Sequence, residues 1–565
     1  MIDTDQTGLS REFLYPVLNM GPQLKAMKNV LSGLAKDDVI NRIWHKDHTV
    51  WNPRPTEISD RLGWLNITET MSDKVAELND FADEIRADGF RHVVLLGMGG
   101  SSLGPEVLRT TFGSNSNYPP LIVLDSTVPS QVKAVARSIE LRHALFLVSS
   151  KSGTTMETNS IYRYFRCLVE KEVGLKKAGR NFAAITDPQT VLSRLAHQDG
   201  FRHTFLNPAD IGGRYSVLSY FGLVPAALTG VDLNKLIESA TRMQKVCAAC
   251  VDINANAGAW LGTLIATCAL HGRDKLTFVI SPAIRSFGLW VEQLLAESLG
   301  KEGKGIVPVI DEPFIEPGSY GDDRLFVYIR LNGDKNSETD EAVMRLETGG
   351  QPVIQLPLED QYELGAEFFR WEFGAAIAGA VLGVNPFDQP DVQATKESTR
   401  QVIAQWQAGK PFPEIKSTIS PAAWMAQARP HNYLAIMAFL KQTPAIDRAL
   451  AKFRQGIAAK YHIATTLGYG PRFLHSTGQL HKGGPISGLF IQVTARSGSD
   501  GLHIPGESYT LGELTEAEAI GDFQTLKSSC RKVVRVVLPS SSGKAIREAF
   551  DIKHMQGSSL QQPAG

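Results

Sequence analysis

Residues Leu145-Phe146-Leu147-Val148 are followed, after Ser149, by the loop Ser150-Lys151-Ser152-Gly153-Thr154-Thr155. A short apolar run that ends in small and hydroxylated residues predicts a buried strand leading into a loop. A helix predicted from about Ile161 places the hydroxyl and N–H groups of this loop near a helix N-terminus, where anions bind well. Hydroxyls, one lysine and one glycine suit a phosphate monoester, but an ordinary serine- and threonine-rich turn with a helix cap fits the same residues.

A second strand and loop of this kind occur earlier in the chain. Val93-Val94-Leu95-Leu96 runs into Gly97-Met98-Gly99-Gly100-Ser101-Ser102, where three glycines within four positions would destabilise a helix or strand. They indicate close approach of the backbone to another group. The spacing differs from the dinucleotide fingerprint G-x-G-x-x-G and from the Walker motif. One glycine-rich and one hydroxyl-rich loop in the same α/β unit favour a single sugar phosphate over a nucleotide.

Four motifs together resemble the phosphoglucose isomerase family. Residues 150–157 resemble the phosphate loop of its sugar isomerase (SIS) domain, and residues 97–105 resemble its first glycine loop. Ile211-Gly212-Gly213-Arg214-Tyr215-Ser216-Val217-Leu218-Ser219 is similar to the family's arginine signature. Asn385-Pro386-Phe387-Asp388-Gln389-Pro390-Asp391-Val392-Gln393-Ala394-Thr395-Lys396 is similar to its lysine signature. The motifs follow the family's order, and the chain most resembles the isomerase half of fused transaldolase–phosphoglucose isomerase proteins, although no transaldolase half is evident.

The resemblance implies a fold class and a reaction. The fold is α/β, with tandem doubly wound parallel sheets (two SIS domains) and a C-terminal α/β extension. The reaction is the interconversion of glucose 6-phosphate and fructose 6-phosphate through an enediol, without a cofactor. The alternatives are an isomerase of a related 6-phosphorylated or 6-sulfonated hexose and a non-catalytic sugar-phosphate-binding SIS protein.

Alternating apolar and amphipathic stretches divide the chain into predicted units. These are an N-terminal helical segment (1–75), a first SIS domain with bridging helices (76–270), a second SIS domain (271–430), a C-terminal α/β extension (431–553) and a disordered tail (554–565). The extension is predicted to begin with a helical region. Strands are predicted at residues 92–96, 121–124, 145–149, 182–187, 276–280, 306–310, 325–329, 353–356, 489–493 and 533–538.

Composition excludes several classes of protein. The 565 residues are 43% hydrophobic, and 58 Lys and Arg stand against 59 Asp and Glu, for a net charge of -1. No basic surplus predicts a nucleic-acid partner or an anionic membrane surface. No apolar run is long enough for a membrane helix, and the N-terminus lacks a secretory pattern. Five cysteines fit a reducing compartment, so the expected location is the cytoplasm.

Two residue pairs have side chains that could bind a metal. Cys247 and Cys250 lie in a helical pattern without a second pair at zinc spacing, and His45 and His48 lack a nearby carboxylate cluster. Packing and structural roles are the more common explanations for such pairs. We therefore predict that the chain binds no metal.

Aldose–ketose isomerisation moves one proton between C1 and C2, so a single carboxylate can serve both carbons. Glu297 is the candidate base, on a helix face shared with Trp290, Gln293 and Leu294. An ordinary ion pair with Lys301, four residues on, is the alternative. The resemblance makes Glu297 the catalytic base, Arg214 the group that stabilises the enediolate and Lys396 the acid at the ring oxygen. The implied substrate-binding residues are Gly100, Ser101, Ser150, Lys151, Ser152, Thr155 and Gln389.

The chain departs from the family at two places. Asp391-Val392-Gln393 stands where the family has Gly-Val-Glu, and Asp323 aligns with the family's ring-opening histidine. Ring opening could use Asp323, His475 or His481 from the extension, or Lys396 alone. The resemblance also implies a homodimer with a ring-opening group that crosses from the partner, which would place the loop carrying Asp323 in the neighbour's site.

Overall fold

Three sheets form among the residues that the computed structural model describes, 17–18, 21–415, 419–496 and 501–550. The predicted tail, 554–565, lies outside these ranges. The strands are β1 (Val17–Leu18), β2 (His92–Gly97), β3 (Leu121–Leu124), β4 (Ala144–Ser149), β5 (Phe182–Thr186), β6 (His203–Leu206), β7 (Lys275–Ile280), β8 (Val307–Val309), β9 (Arg324–Leu331), β10 (Val353–Leu358), β11 (Tyr433–Phe439), β12 (Ala464–Tyr469), β13 (Gly488–Ala495) and β14 (Lys532–Leu538).

Helices connect and cover these strands. Several begin at a side chain that accepts a hydrogen bond from a first-turn N–H group, as Asp232, Asn256 and Thr510 do. The helices are α1 (Gly21–Lys36), α2 (Val39–Trp44), α3 (Ile67–Ser72), α4 (Val75–Ala87), α5 (Leu103–Phe112), α6 (Pro129–Ser138), α7 (Met156–Val173), α8 (Leu175–Ala178), α9 (Val191–Gln198), α10 (Tyr220–Leu228), α11 (Leu233–Val246), α12 (Ala257–Leu270), α13 (Phe287–Leu299), α14 (Ser337–Thr348), α15 (Leu364–Leu382), α16 (Pro390–Gln407), α17 (Pro421–Met425), α18 (Pro444–Tyr461), α19 (Gly478–Gly483), α20 (Leu511–Ser528) and α21 (Gly543–Ala549).

The first two sheets are the predicted tandem pair. The first is parallel, with the order β3-β2-β4-β5-β6. The second has the order β1-β10-β9-β7-β8 and is parallel except for β1, which pairs antiparallel with β10. Strands β2, β4, β5 and β9 inside the sheets are almost wholly buried, as expected where helices cover both faces of a sheet. The short strand β1 was not expected in an N-terminal segment predicted to be helical.

The third sheet confirms an α/β extension but corrects its beginning. It is parallel, with the order β12-β11-β13-β14. The helical region predicted at its start is wrong for residues 433–439, which form β11. Every residue of that run, Tyr-Leu-Ala-Ile-Met-Ala-Phe, is buried. A continuous apolar run lacks the periodicity that distinguishes a strand from a buried helix. Strands β6 and β12 were also not predicted, and the unit boundaries themselves stay a prediction.

The C-terminal unit, defined here as residues 419–496 and 501–550, shares hydrophobic cores with both other sheets. Ala296 of α13 and Val307 of β8 pack with β11 in one cluster. Leu514 of α20 packs with residues of β2 and β4 in another. The buried Arg454 of α18 donates hydrogen bonds to the carbonyl oxygens of residues 310 and 311, at 3.0 and 2.9 Å. The unit is therefore part of the main body of the chain.

Glu292 on α13 makes the free energy of unfolding depend on pH. Its side chain is buried, and burial, offset in part by the positive charge of Arg454, raises its pKa to about 8. The folded chain therefore holds this proton up to a higher pH than the unfolded chain, so the free energy of unfolding falls as pH rises from about 4.5 to 8. We expect Glu292→Gln to remove about 4 kcal/mol of that decrease between pH 5 and 8.

Urea unfolding of wild type and variant at pH 5, 6.5 and 8 measures this difference. The matched control is Glu338→Gln, since Glu338 lies exposed on α14. The same pH dependence in wild type and Glu292→Gln would contradict a neutral Glu292 in the folded chain.

Candidate active site

The glycine-rich and hydroxyl-rich loops leave the first sheet side by side. Gly97 at the end of β2 pairs in register with Ser149 at the end of β4. The chain connections diverge to opposite sides of the sheet at this point, and open α/β sheets bind ligands in such a crevice. A cavity of about 370 Å³ is lined there by Ser152, Thr154 and Thr155, a volume typical of small-molecule sites.

Hydrogen bonds within the hydroxyl-rich loop fix its shape. Ser150 Oγ lies 3.0 Å from Thr155 Oγ1 and accepts a bond of 3.1 Å from the Gly153 N–H. Ser152 Oγ lies 2.9 Å from Thr154 Oγ1. Because α7 begins at the next residue, Met156, these groups surround its N-terminus. Ser150 is buried within the loop, whereas Ser152 and Thr155 face the cavity.

Lys151 lies apart from the cavity, unlike its neighbours. Its ammonium group forms an ion pair with Asp187 and donates a hydrogen bond of 2.9 Å to the Ala209 carbonyl. The side chain thus ties the loop to the segments after β5 and β6. The structure does not bring Lys151 to the cavity with the hydroxyls.

Gly100 is required by a protein contact. A Cβ atom at this position would lie 1.9 Å from the carbonyl oxygen of Gly213, which precedes Arg214. The close approach predicted from the glycines is therefore an approach to the arginine loop. Ser101 follows Gly100 and is buried. Neither residue is among those that line the cavity.

We expect Gly100→Ala to displace the arginine loop. Because the added methyl group meets rigid backbone, the free energy of unfolding should fall by about 1–3 kcal/mol, and catalytic activity should fall with it. Urea unfolding and a turnover assay measure the two effects. Gly33→Ala on α1 is the control, since a Cβ there meets nothing within 4 Å and alanine favours a helix. Equal stability of both variants would contradict the clash.

Arg214 is buried and held from several sides. Its guanidinium donates hydrogen bonds to Ser298 Oγ at 2.8 Å, to Gln389 Oε1 at 2.9 Å, and to the carbonyls of Pro386 and Asp388 at 2.8 and 2.9 Å. Only 2% of its side chain is exposed. The arginine and lysine signatures thus meet in space, with the charged group fixed in one orientation.

Glu297 completes this group. It lies in the last turn of α13, with one carboxylate oxygen 3.2 Å from Arg214 Nη1 and the other accepting a hydrogen bond of 3.0 Å from Gln293 Nε2. Its side chain keeps 13% of its surface exposed. A carboxylate and a guanidinium therefore lie side by side, and the carboxylate stays accessible.

Lys301 does not pair with Glu297, contrary to the ordinary helix contact considered from the sequence. Its ammonium group instead donates to the Asp388 carboxylate at 2.7 Å, to the Asp388 carbonyl at 2.6 Å and to the Asn385 carbonyl. Burial and the positive charge of Arg214, opposed by Asp388, lower the pKa of Lys301 to about 7. Lys301 thus supports the segment that carries Gln389.

Lys396 lies on α16 and lines the same cavity as the hydroxyl-rich loop. Gln389 precedes this helix, and its side-chain oxygen is the acceptor for Arg214. Asp391, one of the departures from the lysine signature, contacts the C-terminal unit: Gln479 Nε2 donates to its carboxylate at 2.5 Å, and its own N–H donates to Gln479 Oε1 at 2.9 Å. The altered helix start is therefore bound by the extension.

Asp323 is not brought to the cavity. It precedes β9, is 1% exposed and forms an ion pair with Lys275 at 3.3 Å. A carboxylate enclosed in its own chain cannot extend into a neighbour, so the position expected for Asp323 is corrected. The adjacent Asp322 is exposed, 3.3 Å from His431.

His475 of the C-terminal unit lines the same cavity as Lys396. Its Nε2 lies 2.5 Å from the carboxylate of Glu157, in the first turn of α7. Burial alone would raise the pKa of Glu157, but the adjacent His475 lowers it. His475 is one of the alternatives that the sequence leaves open, whereas Glu157 falls within residues 150–157 without a predicted role. The position of Glu157 two residues after Thr155, in the first turn of the following helix, was the available signal.

His481, the other histidine considered from the extension, lies elsewhere. It is buried, with its ring 5.1 Å from that of Phe490 on β13. Burial and the neighbouring charge of Lys482 lower its pKa well below the ordinary value. It is a neutral residue of the hydrophobic core.

A larger cavity, of about 1160 Å³, lies over the ends of β13 and β14. Its charged lining includes the ion pair of Arg535 and Glu516, at 2.6 Å. The smaller cavity carries convergent hydroxyl, lysine and histidine groups, with Glu157 as the carboxylate beside the histidine, whereas Glu297, Arg214 and Gln389 are not among its lining residues. Gln293 joins the two parts, because its amide donates to the Glu297 carboxylate and to the His475 carbonyl, and we therefore place the candidate site at this junction. Across the described ranges, His, Cys, Asp and Glu side chains form no group of three suited to a metal ion. None of the helices described is both long and apolar enough to cross a lipid bilayer.

Solved structures show the same fold. A hypothetical protein from Thermus thermophilus superposes with a TM-score of 0.60 at 24% identity, covering 69% of this chain and all of that one. A glucose-6-phosphate isomerase from Chlamydia trachomatis gives a TM-score of 0.57 at 18% identity, covering 67% of this chain and 86% of that one. These similarities confirm the predicted fold class.

Sequence comparison identifies the family. The phosphoglucose isomerase family model matches residues 65–312. A probable glucose-6-phosphate isomerase from Methanococcus maripaludis is 31% identical over 386 residues, which cover 61% of this chain and 85% of the relative. A glucose-6-phosphate isomerase from Staphylococcus saprophyticus is 28% identical over 384 residues, covering 60% and 86%. The motifs, the fold and these relatives agree, and the chain belongs to the phosphoglucose isomerase family.

Proposed function

We propose that this chain interconverts glucose 6-phosphate and fructose 6-phosphate, with Glu297 as the base. The observation that carries the proposal is the pairing of Glu297 with the buried Arg214 at 3.2 Å, in a carboxylate that remains accessible. One group can move a proton, and the other can stabilise the negative charge that this movement creates. The substrate is inferred from the names of the relatives, and the geometry of Glu297 and Arg214 supports the reaction class.

The proposed proton path needs no oxidant or cofactor. Glu297 takes the C2 proton of the open-chain aldose, and O1 gains a proton, which yields an enediol. Loss of the O2 proton forms the C2 carbonyl, and the proton returned to C1 completes the ketose. The positive charge of Arg214 stabilises the enediolate, and because protein groups accept from all of its N–H donors, no reorientation is needed during the reaction.

The substrate phosphate is assigned to the hydroxyl-rich loop. Ser152, Thr154 and Thr155 line the cavity at the N-terminus of α7, where the helix dipole and hydroxyl donors favour an anion. Lys396 adds positive charge from the facing helix and is proposed to protonate the ring oxygen. Lys151 holds the loop through Asp187 and acts on the phosphate only through that support.

A turnover panel tests the proposal. Glucose 6-phosphate, fructose 6-phosphate, other hexose 6-phosphates and 6-sulfonated hexoses are incubated with the chain in D₂O and followed by NMR. We expect turnover of glucose 6-phosphate with deuterium entering at C2. Faster turnover of another 6-substituted hexose would show that the chain is an isomerase of that sugar and not of glucose 6-phosphate. Binding without turnover of any of them would contradict the enzyme and support a sugar-phosphate-binding protein.

The expected setting of such an enzyme is glycolysis and gluconeogenesis in the cytoplasm, and the expected assembly is a homodimer. Both stay predictions. Sedimentation velocity over a range of protein concentrations measures the assembly directly.

A further inference from the structure

A segment of the C-terminal unit contributes to the lining of the active-site cavity. His475 lies between β12 and β13 of the third sheet, yet it lines the cavity with Thr155 of the first sheet's loop and Lys396 of α16. Within the described residues it is the one histidine of this lining. The hydrogen bond between its Nε2 and a Glu157 carboxylate oxygen fixes the ring. No described protein group hydrogen-bonds to its other ring nitrogen, Nδ1.

Several bonds anchor this segment to the rest of the site. Arg472 forms a two-bond ion pair with the buried Asp125 at the end of β3, at 2.7 and 2.8 Å. Gln293 donates to the His475 carbonyl at 2.8 Å and to the Glu297 carboxylate at 3.0 Å. The same amide thus positions the base and the histidine segment together.

Gly99 allows the segment to approach. Its φ is +56°, and a Cβ there would lie 2.8 Å from the His475 carbonyl oxygen. Glycine adopts this conformation without strain and leaves room for the carbonyl. In the glycine-rich loop, Gly99 therefore leaves room for the C-terminal unit, and Gly100 leaves room for the arginine loop.

Hexose 6-phosphates exist mainly as rings, so a ring must open before Glu297 can act. Opening moves the proton of the anomeric hydroxyl away, forms the carbonyl at the anomeric carbon and breaks its bond to the ring oxygen, which gains a proton. The reverse closes the product ring. The group that takes the hydroxyl proton must also return it near neutral pH, and imidazole is the side chain best suited to both steps.

Resting on the function proposed above, we propose that the C-terminal unit completes the active site of its own chain. His475 takes the proton of the anomeric hydroxyl and later returns it. Lys396 gives a proton to the ring oxygen, and Glu157 holds His475 in place. Asp323 is enclosed beside Lys275 and has no part in this step. Each chain carries a complete site, and no residue of a second chain is needed, whatever the oligomeric state.

Single variants test the role of His475. His475→Asn should lower kcat/KM for glucose 6-phosphate by about 100-fold or more at a temperature where the variant, which loses the partner of the buried Glu157, is still fully folded. His462→Asn is the matched control, since His462 is exposed in the same unit, and it should stay within about twofold of wild type. Full activity of His475→Asn would overturn the proposal. No turnover by the wild-type chain would instead refute the proposed function.

Mixed chains test whether the site lies within one chain. Glu297→Gln and His475→Asn chains with different tags are co-expressed, and any mixed species is isolated by both tags and assayed. We expect no recovery of activity, whether mixed dimers form or the chains stay separate, because each chain has one defective site of its own. Recovery to a quarter or more of wild-type turnover would show that one site draws on two chains and would overturn the proposal.

Discussion

Replacing Glu297 by glutamine is expected to lower kcat by a factor of about 10²–10⁴ or more, with little change in substrate affinity. Glutamine keeps the size of the side chain and can still contact Gln293 and Arg214, but it cannot accept the C2 proton. The loss should therefore appear in the chemical step. A coupled assay gives kcat, and calorimetric titration with a substrate analogue gives affinity.

Isotope exchange identifies the base more directly than the rate. Deuterium from solvent should stop entering C2 of the substrate in proportion to the lost activity. Glu302→Gln is the control, because Glu302 is exposed just beyond α13 and should leave exchange intact. Persistent exchange in Glu297→Gln would assign proton transfer to another group.

The local parts of the structure were readable from the sequence. Strands β2 and β4 and the loops after them are contiguous signals, in which an apolar run is followed at once by glycines or hydroxyls. Parallel pairing then brings the two loops together, as Gly97 and Ser149 show. Strand β11 was not predicted because its residues are buried at every position and show no periodicity.

The partners of individual charged residues could not be predicted from the sequence. Lys151 pairs with Asp187 and Asp323 with Lys275, across sequence separations of 36 and 48 residues. Arg472 reaches Asp125 across 347 residues. The first two pairs form only once the strands of a sheet come together, and the third only once separate units dock, so a loop lysine next to hydroxyls looks like a ligand even when it is a support. His475 stayed one alternative among several for the same reason.

Arg214→Lys is expected to lower both activity and stability. Lysine keeps the positive charge but cannot supply the donors that now reach Ser298, Gln389 and two backbone carbonyls. Displacement of the positive charge now fixed 3.2 Å from Glu297 should lower kcat by about 10²–10³. The unpaired buried groups should lower the free energy of unfolding by about 3 kcal/mol. Turnover and urea unfolding, with the exposed Arg137→Lys as control, measure both.

The two effects of Arg214 can be separated by chemical rescue. In Arg214→Ala the guanidinium site is emptied, and added guanidinium ion can occupy it without a covalent link. If Arg214 stabilises the enediolate, low guanidinium concentrations should restore part of kcat, while ammonium at the same ionic strength should restore less. If Arg214 only holds the lysine signature in place, guanidinium should restore stability without turnover. Because Glu297 lies 3.2 Å from this site, rescue should also require an intact Glu297, and Arg214→Ala/Glu297→Gln should remain inactive under the same conditions.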